Sequence, residues 1–584
     1  MPLCRHIVLG NGKFRCVISF RKDYRTPHIT AYLPNQGNSE DTRILALKDQ
    51  DLPLSGDPDF IKSTESVFPG RHVKINLEIP GKSPFSWELW VNEGDQLLFF
   101  KNSAGRNYSL KCDREKATFR QALPFFGNPP AKFPQRNLRS NVMMQDAELA
   151  AITNSLVPVF SATLREDGRF PAGTHNAYGG AWIRDGVMSA AGWAYSNYAE
   201  TEKLLEYLFL NVPPKAGQLE EYGMMVLGVY QYWCHSGNDS FVAKFADRIR
   251  DFAWKPFEFL DNGLLASKVE GYWERTYLGE GYSFSQNCWA VHAVDCYLKM
   301  SEHFRWQDDF DVLREKRQIV HGNLFDGRFK RNGCFAKRLL PDFSIQDDAP
   351  VERFLSMGVH AYRGEYAKPE DLLPGRGALN PDTQTCACWL WNLIPAESPE
   401  ALATGNEIWK LWNQGWDSGV LERYNYTSDC DREVAGPWFL ASFMMGRAYL
   451  LQNDYLRTSQ IIEWGRREFN GSGWGERISK SHNPLDPNRY VHEILNWPSG
   501  EWLMMVYREG AGLYPTEDGL RISPHLPRKF NGIRIQNYIY RGFTYNIVYQ
   551  GVGSEVRRFN FNGRQLSSNL MPLENGDVEV IMKN

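Results

Sequence analysis

Hydrophobic and polar positions follow three different patterns along the chain, and the first of these is typical of β-strands. Residues 1 to about 140 contain short segments of alternating apolar and polar residues, such as HVKINLEI and SWELWVNEGDQLLFF, separated by turns that carry Gly, Pro and Asn. Alternation with a period of two places neighbouring side chains on opposite faces of a strand. We therefore predict an N-terminal β-sandwich over residues 1–140, which ends in a proline-containing linker.

After the linker the hydrophobic period changes to that of amphipathic helices. In residues 284–304, for example, Phe284, Cys288, Val291 and Val294 fall on one face of a helix. The same reasoning predicts helices over residues 145–165, 183–197, 200–212, 221–236, 240–259, 284–304, 382–394, 399–414, 434–452, 455–468 and 498–508.

Long loops rich in Trp, Tyr, Arg, Asp and Glu join these helices. About a dozen helices with such loops predict a catalytic (α/α)6 barrel over residues 141–512, in which two rings of helices alternate and the loops at one end form a pocket. A helical solenoid has the same hydrophobic period, but the chain shows no fixed-length repeat.

Residues 513–584 return to short strand-like segments such as GLRISPHLP and DVEVIMKN. They predict a β-rich C-terminal region, which either forms its own small structure or completes the N-terminal sandwich. The predicted fold class is therefore multidomain, with β-structure on both sides of an all-α barrel.

Composition excludes several partners and cofactors. The net charge of −3 gives no electrostatic reason to expect DNA, RNA or an anionic membrane as a partner. No run of apolar residues is long enough to span a membrane or to act as a signal peptide, so we expect a cytoplasmic protein, or a secreted one if a leader has been removed. Cys386 and Cys388 have no second pair at zinc-site spacing and are expected to be buried apolar residues. We expect neither metal nor cofactor.

Four loops combine aromatic and charged residues just before a predicted helix. The first, GGAWIRDGVMSA, contains Trp182, Arg184 and Asp185. An Asp accepts hydrogen bonds from sugar hydroxyls, an Arg donates them, and an indole ring packs on the C–H face of a sugar. An Asp that begins a helix with a paired Arg would give the same pattern for structural reasons alone.

The second loop places Glu274 between Trp273 and Arg275. A neighbouring indole raises the pKa of a carboxyl group by desolvation, as a general acid that works near neutral pH requires. A salt-bridged loop glutamate is the alternative. The third loop contains Arg423 and Tyr424, and Arg423 is a candidate donor to sugar hydroxyls.

The fourth loop, SGWGERISKSHNPLDPNRYVHEILNWPSGEWLMMV, contains two candidate carboxylates. Glu476 lies beside Trp474 and Gly475 in a Gly-rich segment, where a catalytic and a structural role are equally compatible with the sequence. Glu501 is best explained as an acid in the first turn of a helix.

Taken together, the four loops resemble the glucoamylase family (glycoside hydrolase family 15), especially its bacterial branch. The segment Trp182-Ile183-Arg184-Asp185-Gly186 is similar to the family's W-x-R-D-G motif, which binds the terminal glucose. Trp273-Glu274, followed by the Phe284-Ser285 helix start, resembles the segment that supplies the general acid. Arg423-Tyr424 and the following helix, with Trp438 at its start, match the family's R-Y segment.

The family's base motif, P-E-Q, resembles Gly475-Glu476-Arg477, and its L-x-W-S-H-A-E motif resembles the segment from Leu495 to Glu501. The resemblance covers roughly residues 145–510. Gly475, Arg477, Ser499 and Gly500 depart from the family pattern near the base and the leaving-group side. The β-rich tail looks more like the terminal sandwich of disaccharide phosphorylases and rhamnosidases.

The resemblance implies an inverting, exo-acting α-glucosidase that acts on the non-reducing end of an oligosaccharide or disaccharide. Glu274 is the expected general acid and Glu476 the expected general base. The residues expected to bind the sugar are Trp182, Arg184, Asp185, Trp273, Arg275, Arg423, Tyr424 and Trp438. Two alternatives stay open, a disaccharide phosphorylase of related architecture and a non-catalytic glucan-binding or regulatory barrel. The linkage cleaved and the oligomeric state are not encoded in any pattern we can interpret.

Overall fold

The computed structural model describes most of the chain from residue 140 onward, together with the strands of the preceding part. The described ranges are 140–173, 180–215, 217–267, 280–345, 381–390, 393–411, 437–469, 473–478, 490–491 and 495–583. In the first 122 residues the backbone of ten strands is described: β1 His6–Asn11, β2 Phe14–Phe20, β3 Pro27–Pro34, β4 Thr42–Ile44, β5 Ile61–Glu65, β6 His72–Leu77, β7 Phe85–Val91, β8 Gln96–Asn102, β9 Asn107–Cys112 and β10 Ala117–Ala122.

These ten strands form two antiparallel sheets with neighbour-to-neighbour connections. One has the order β1-β2-β3-β4, and the other has the order β10-β9-β8-β7-β6-β5. The predicted strand content of this part is therefore confirmed, and the packing of the two sheets into a sandwich stays a prediction.

Helices dominate the described residues between 147 and 510. They are α1 Ala147–Thr163, α2 Ile183–Asn211, α3 Leu219–Ser236, α4 Asp239–Lys244, α5 Ala246–Trp254, α6 Phe284–Phe304, α7 Phe310–Phe325, α8 Pro381–Trp389, α9 Pro399–Ile408, α10 Phe439–Leu451, α11 Tyr455–Glu468 and α12 Asn496–Met504, and the last continues as a π-helix, Met505–Gly510. Helix α2 contains a non-helical residue, Asn197, that divides it into segments 183–196 and 198–211.

Six of the described helices form a closed inner ring. The segment 183–196 packs on α3, α3 on α6, α6 on α8, α8 on α10, α10 on α12, and α12 packs back on α2. Every residue of α10 and α12 is buried, as a helix surrounded by protein on all sides requires.

The helices between them in the chain form an outer ring. Helix α5 packs on α3 and α6, α7 on α6, α9 on α8 and α10, α11 on α10, and α1 on α2 and α12. In α7 the buried residues are Leu313, Val320 and Leu324, which is the single apolar stripe of a surface helix. Alternation of inner and outer helices along the chain is the architecture of an α/α barrel, as the sequence predicted.

Backbone contact between glycines closes the inner ring where its first and last helices meet. A Cβ atom on Gly192 of α2 would lie 2.2 Å from the carbonyl oxygen of Gly500 of α12, and one on Gly500 would lie 2.6 Å from that of Met188. Only residues without a side chain permit this approach.

Short two-residue strands connect the loops of the barrel: β12 Leu260–Asp261, β13 Leu264–Leu265, β14 Tyr282–Ser283, β15 Lys330–Arg331, β16 Cys334–Phe335, β17 Arg338–Leu339, β18 Arg477–Ile478 and β19 Tyr490–Val491. The remaining strands are β11 Asn141–Met143, β20 Leu513–Pro515, β21 Leu520–Ile522, β22 Arg534–Tyr540, β23 Phe543–Gln550, β24 Val556–Phe561, β25 Arg564–Gln565 and β26 Gly576–Met582.

The C-terminal strands form a six-stranded sheet of order β11-β22-β23-β26-β24-β25, in which only the β23–β26 pair is parallel among the described pairings. Its edge strand β11 comes from the segment just before α1. Among the described strands, none from the first 122 residues joins this sheet. Of the two predicted arrangements, the strand pairing therefore favours a separate C-terminal structure. The division into domains stays a prediction.

The C-terminal sheet packs its aromatic face on the barrel. Tyr538 of β22 stacks on Tyr195 of α2 with the ring centroids 6.4 Å apart, and the Tyr538 hydroxyl lies 3.4 Å from His235 at the end of α3. Both tyrosines are buried. The sheet thus covers the ends of the inner helices opposite to their N-terminal ends.

Candidate active site

Backbone bridges join the third and fourth predicted loops at the N-terminal ends of the inner helices, and they join the fourth loop to Gly173, which precedes the first loop. Leu495, which precedes α12, bridges to both Gly173 and Trp474, and Trp438, which precedes α10, bridges to Arg477. The structure therefore brings the segments before α2, α10 and α12 to one end of the barrel. We call this end the mouth.

The segments before α3 and α6 reach the same mouth. Strand β14, which leads into α6, pairs with β17, and the Ser267 hydroxyl donates to the carbonyl oxygen of Gly217 at 3.2 Å. Arg338 of β17 donates to the carbonyl oxygen of Ser267 at 3.3 Å. Arg338 is buried, so a charged side chain lies in the protein interior directly beneath these loops.

Side-chain capping is present at four outer helices and absent at four inner ones, whereas the inner helix α6 is capped by Ser283 and the outer helix α5 has no side-chain cap. The outer helices α1, α7, α9 and α11 begin with Asp146, Asp309, Ser398 and Asp454, and each of these side chains accepts a hydrogen bond from a first-turn backbone N–H. The inner helices α2, α3, α10 and α12 have no such side-chain bond at their start. Because first-turn N–H groups attract electron-rich oxygens, uncapped N-terminal ends suit a mouth that binds a polar ligand.

Glu476 lies at this mouth. It immediately precedes β18, its carbonyl oxygen accepts from the N–H of Phe439 at the start of α10 at 3.3 Å, and the residue is 7% exposed. The neighbouring Trp474 is completely buried and packs on Phe443 and Trp502. A rigid aromatic support of this kind holds the backbone of Glu476 in place.

The first predicted loop also reaches the mouth. Trp182 is the N-cap residue of α2 and is half-buried, and Lys215 places its ammonium group 4.1 Å from the centre of the indole ring. Arg184 is 7% exposed, and Asp185 lies in the first turn of α2, where the helix dipole favours a negative charge. Trp182, Arg184 and Asp185 therefore lie together at the start of α2, and their binding of a sugar stays a prediction.

Trp438 was expected to present its ring to a sugar, and its burial bears on that expectation. It is the N-cap residue of α10 and is 2% exposed. A ring so completely covered has little surface left for a ligand. Its position supports the mouth, and its contact with a substrate stays a prediction.

The sequence analysis missed a buried acidic cluster at the start of α3. Gln286 of α6 donates through Nε2 to Oε2 of Glu220 at 2.8 Å, and the backbone N–H of Lys215 donates to Glu221 at 2.8 Å. The pKa of Glu220 is raised to about 8, mainly by burial and also by the charge of Glu221, while the charge of Arg184 acts in the opposite direction. In the sequence these glutamates are indistinguishable from ordinary first-turn acids.

Glu501 is a core residue and not an ordinary surface acid of a first turn. It is completely buried and accepts from Arg447 of α10 at 2.7 Å and from the indole N–H of Trp497 at 2.9 Å. Arg447 also binds Glu509, which follows α12. This ion pair joins α10 to α12 inside the inner ring, so Glu501 has a structural role for a different reason from the predicted one.

Several predicted site residues lie outside the described residues: Trp273, Glu274, Arg275, Arg423 and Tyr424. The distance between the carboxyl groups of Glu274 and Glu476 therefore stays a prediction. Cys386 and Cys388 are buried, as expected. In the described ranges, His, Cys, Asp and Glu side chains form no group that could hold a metal ion, and no helix has the length and apolar content of a membrane span.

Comparison with known proteins yields similar solved structures at low identity. One is a glycosidase in complex with glucose, with 14% identity, 63% of this chain and 99% of that chain covered, and a TM-score of 0.47. Another is a GH78 family rhamnosidase of Bacillus sp. GL1, with 11% identity, 94% and 59% coverage, and a TM-score of 0.46. A third is a glucoamylase from Saccharomycopsis fibuligera, with 10% identity, 62% and 93% coverage, and a TM-score of 0.40.

No protein-family model and no curated protein matches this chain. Similarities at the level of these structures assign the chain to no family.

Proposed function

We propose that this chain is an inverting, exo-acting α-glucosidase with Glu274 as general acid and Glu476 as general base. The observation that carries the proposal is the position of Glu476, a buried carboxylate at the mouth, on a loop that is bridged to Gly173 in the segment before α2, the helix that begins at Trp182 and Arg184. Glycosidases hydrolyse sugars with carboxyl groups, and hydrogen-bond donors and an aromatic ring beside such a group can hold the sugar.

In the proposed reaction, Glu274 donates its proton to the glycosidic oxygen as the bond from that oxygen to the anomeric carbon breaks. Water attacks the anomeric carbon from the opposite face of the ring, and Glu476 accepts a proton from this water. The products are a sugar of inverted anomeric configuration and the released alcohol. Inversion requires the two carboxyl groups to be about 6.5–9.5 Å apart, so that the water fits between them.

The remaining predicted residues would hold the terminal sugar. Arg184 and Arg423 would donate to its hydroxyls and Asp185 would accept from them, since charge-assisted hydrogen bonds are stronger than neutral ones. Trp182 is half-buried, which leaves part of its ring for the C–H face of the sugar. Trp273, Arg275, Tyr424 and Trp438 would complete the walls.

The first prediction concerns the two proposed catalytic carboxylates. Glu274→Gln and Glu476→Gln should each lower kcat by at least about 10²-fold, because each removes one general acid–base contribution. Glu315→Gln, at an exposed position of α7, is the matched control and should leave kcat unchanged. The measurement is hydrolysis of a panel of glucose disaccharides, followed by NMR, which gives the linkage and the anomeric configuration of the product together. Near-wild-type rates in both active-site variants would contradict the assignment.

The same panel separates the alternative functions. A disaccharide phosphorylase would release glucose 1-phosphate when inorganic phosphate is added, because phosphate replaces the activated water. A non-catalytic barrel would bind oligosaccharides with no turnover under either condition. Release of a sugar with retained configuration would rule out inversion while leaving hydrolysis intact.

A further inference from the structure

Glu220 is positioned where three inner helices meet at the mouth. It lies in the first turn of α3, between Arg184 in the first turn of α2 and Gln286 in the first turn of α6. The residue is completely buried. Its Oε2 accepts from Gln286, whereas Oε1 has no hydrogen-bond partner among the described residues.

A carboxyl group in this environment is better satisfied when it carries a proton. An ionised carboxylate without a full set of donors pays a large desolvation cost, and the protonated form pays less. Arg184 on α2 and Glu221 on α3 are the charged groups that act on Glu220, and their charges oppose each other. Helix α6 contributes the neutral Gln286. The backbone N–H of Glu220 itself also favours the ionised form. Burial outweighs these favourable contacts, so the pKa lies near 8.

The proton has a consequence for Arg184. With Glu220 neutral, Glu221 is the negatively charged member of the acidic cluster, and its pKa is raised by burial and lowered by the backbone N–H of Lys215 and by the charges of Arg184 and Lys215. Ionisation of Glu220 would add a second negative charge to the cluster near Arg184. The guanidinium group would then be drawn towards Glu220 and away from the hydroxyls of a bound sugar, because an uncompensated buried charge attracts the nearest opposite charge.

We infer that Glu220 is a positioning residue of the sugar site, which in its protonated form holds α2, α3 and α6 together and leaves Arg184 directed to the substrate. The inference rests on the proposed function, since it assumes that the mouth binds a sugar. It adds a residue that the resemblance to glucoamylases did not supply, and it makes sugar binding sensitive to alkaline pH.

The test is the affinity for glucose, measured by isothermal titration calorimetry at several pH values on either side of 8. Glucose is not hydrolysed, so the titration of the catalytic carboxylates in turnover does not enter the measurement. In the wild type we expect affinity to fall by about tenfold for each pH unit above the pKa of Glu220, since binding requires the protonated form. Glu220→Gln reproduces the hydrogen bonds of a protonated carboxyl group and should keep the neutral-pH affinity without the alkaline loss.

Three further variants complete the design. Glu220→Ala should weaken glucose binding by about tenfold or more at every pH, because it removes the contact with Gln286. If the alanine variant does not fold, the glutamine variant still decides the question. Glu315→Gln should retain both the affinity and the alkaline loss of the wild type. Arg184→Lys should weaken binding and keep a smaller pH dependence, since a lysine cannot reproduce the planar donor.

The outcomes distinguish this inference from the proposed function. An alkaline loss that persists unchanged in Glu220→Gln would overturn the positioning role, even if the protein hydrolyses glucosides. Glucose affinity in Glu220→Ala equal to that of the wild type would also overturn it. A wild-type protein that neither binds glucose nor hydrolyses any glucoside would overturn the proposed function, and this inference with it.

Discussion

Burial of Glu220 makes the stability of the fold depend on pH in a direction opposite to that of most acidic residues. Its pKa is about 8 in the folded chain and 4.5 in the reference state. Between these values the folded state holds a proton that the unfolded state has lost, so the free energy of unfolding falls as pH rises, by up to about 1.4 kcal/mol per unit. Below pH 4.5 the stability that Glu220 contributes to the folded state is fully present.

Glu220→Gln should remove that dependence. We expect the variant to gain stability relative to the wild type when the pH is raised from 5 to 8, measured as the difference between their urea midpoints at the two pH values. The urea midpoint of Glu315→Gln should change with pH in the same way as that of the wild type. An unchanged difference between Glu220→Gln and the wild type across this range would show that the carboxyl group is ionised throughout.

The burial of an acidic residue could not be predicted where it depends on partners that are distant in the chain. Trp182, Arg184 and Asp185 could be grouped because they are neighbours in the chain at the start of α2, and their contact with a sugar stays a prediction. Glu501 lies in the second turn of α12 and Glu220 in the first turn of α3, and both are buried with partners on other helices, Arg447 and Gln286. No local pattern contains that information.

At the level of elements, the contact between Gly192 and Gly500 gives a direct test of the ring. Gly192→Ala should lower the free energy of unfolding by about 1–3 kcal/mol or more, because its Cβ would meet a backbone carbonyl that cannot rotate away. The matched control is Gly322→Ala near the C-terminal end of α7, where a Cβ meets no atom within 4 Å.

The control substitution should change the free energy of unfolding in the opposite direction. Gly322→Ala should stabilise the protein by about 0.5–1 kcal/mol, since alanine is the better helix former. Chemical denaturation of both variants checks the prediction. Equal effects in the two variants would mean that α2 and α12 are not in backbone contact.

Hydrophobic periodicity located most of the described helices, but it missed α7, Phe310–Phe325, and the places where a helix changes direction. The predicted helix over 240–259 is divided at Phe245 into α4 and α5 and ends as a 3-10 helix, Lys255–Phe259. The predicted break near residues 197–200 is a kink at Asn197 within α2. Packing against the neighbouring ring imposes these changes, and the apolar positions on either side keep their helical spacing.

At the scale of the molecule, the C-terminal sheet and the barrel should unfold as one unit. Ile547 of β23 is completely buried, in the face that includes Tyr545 and Tyr549, and the Tyr549 hydroxyl donates to the carbonyl oxygen of Ala511. Ile547→Ala should cost about 2–5 kcal/mol. The barrel contains most of the buried tryptophans, so near-ultraviolet circular dichroism during urea unfolding reports on it.

We expect the barrel transition to shift with the substitution in the sheet. Arg534→Ala, at an exposed position of β22, should change the free energy of unfolding by no more than about 0.5 kcal/mol. A barrel transition that stays at its wild-type midpoint in Ile547→Ala would instead identify the sheet as a separately folding domain.

The overall order of strands, helices and strands could be predicted from the sequence because each part has its own hydrophobic period. The membership of β11 in the C-terminal sheet could not be predicted. Three residues, Asn141–Met143, are too few to show a period, and their partner β22 is nearly four hundred residues away in the chain. Long-range pairing of this kind is decided by what the finished barrel brings within reach.

The glycine seam between α2 and α12 also constrains how the protein is made. The first helix of the inner ring must wait for the last one before its apolar surface is covered, and ribosomes complete α12 only after every other inner helix. Nascent chains therefore carry an incomplete ring with uncovered apolar walls for most of their synthesis, a state prone to association with other chains. We expect cells that make this protein to rely on chaperones that cover the apolar surface of the incomplete ring until α12 packs on α2.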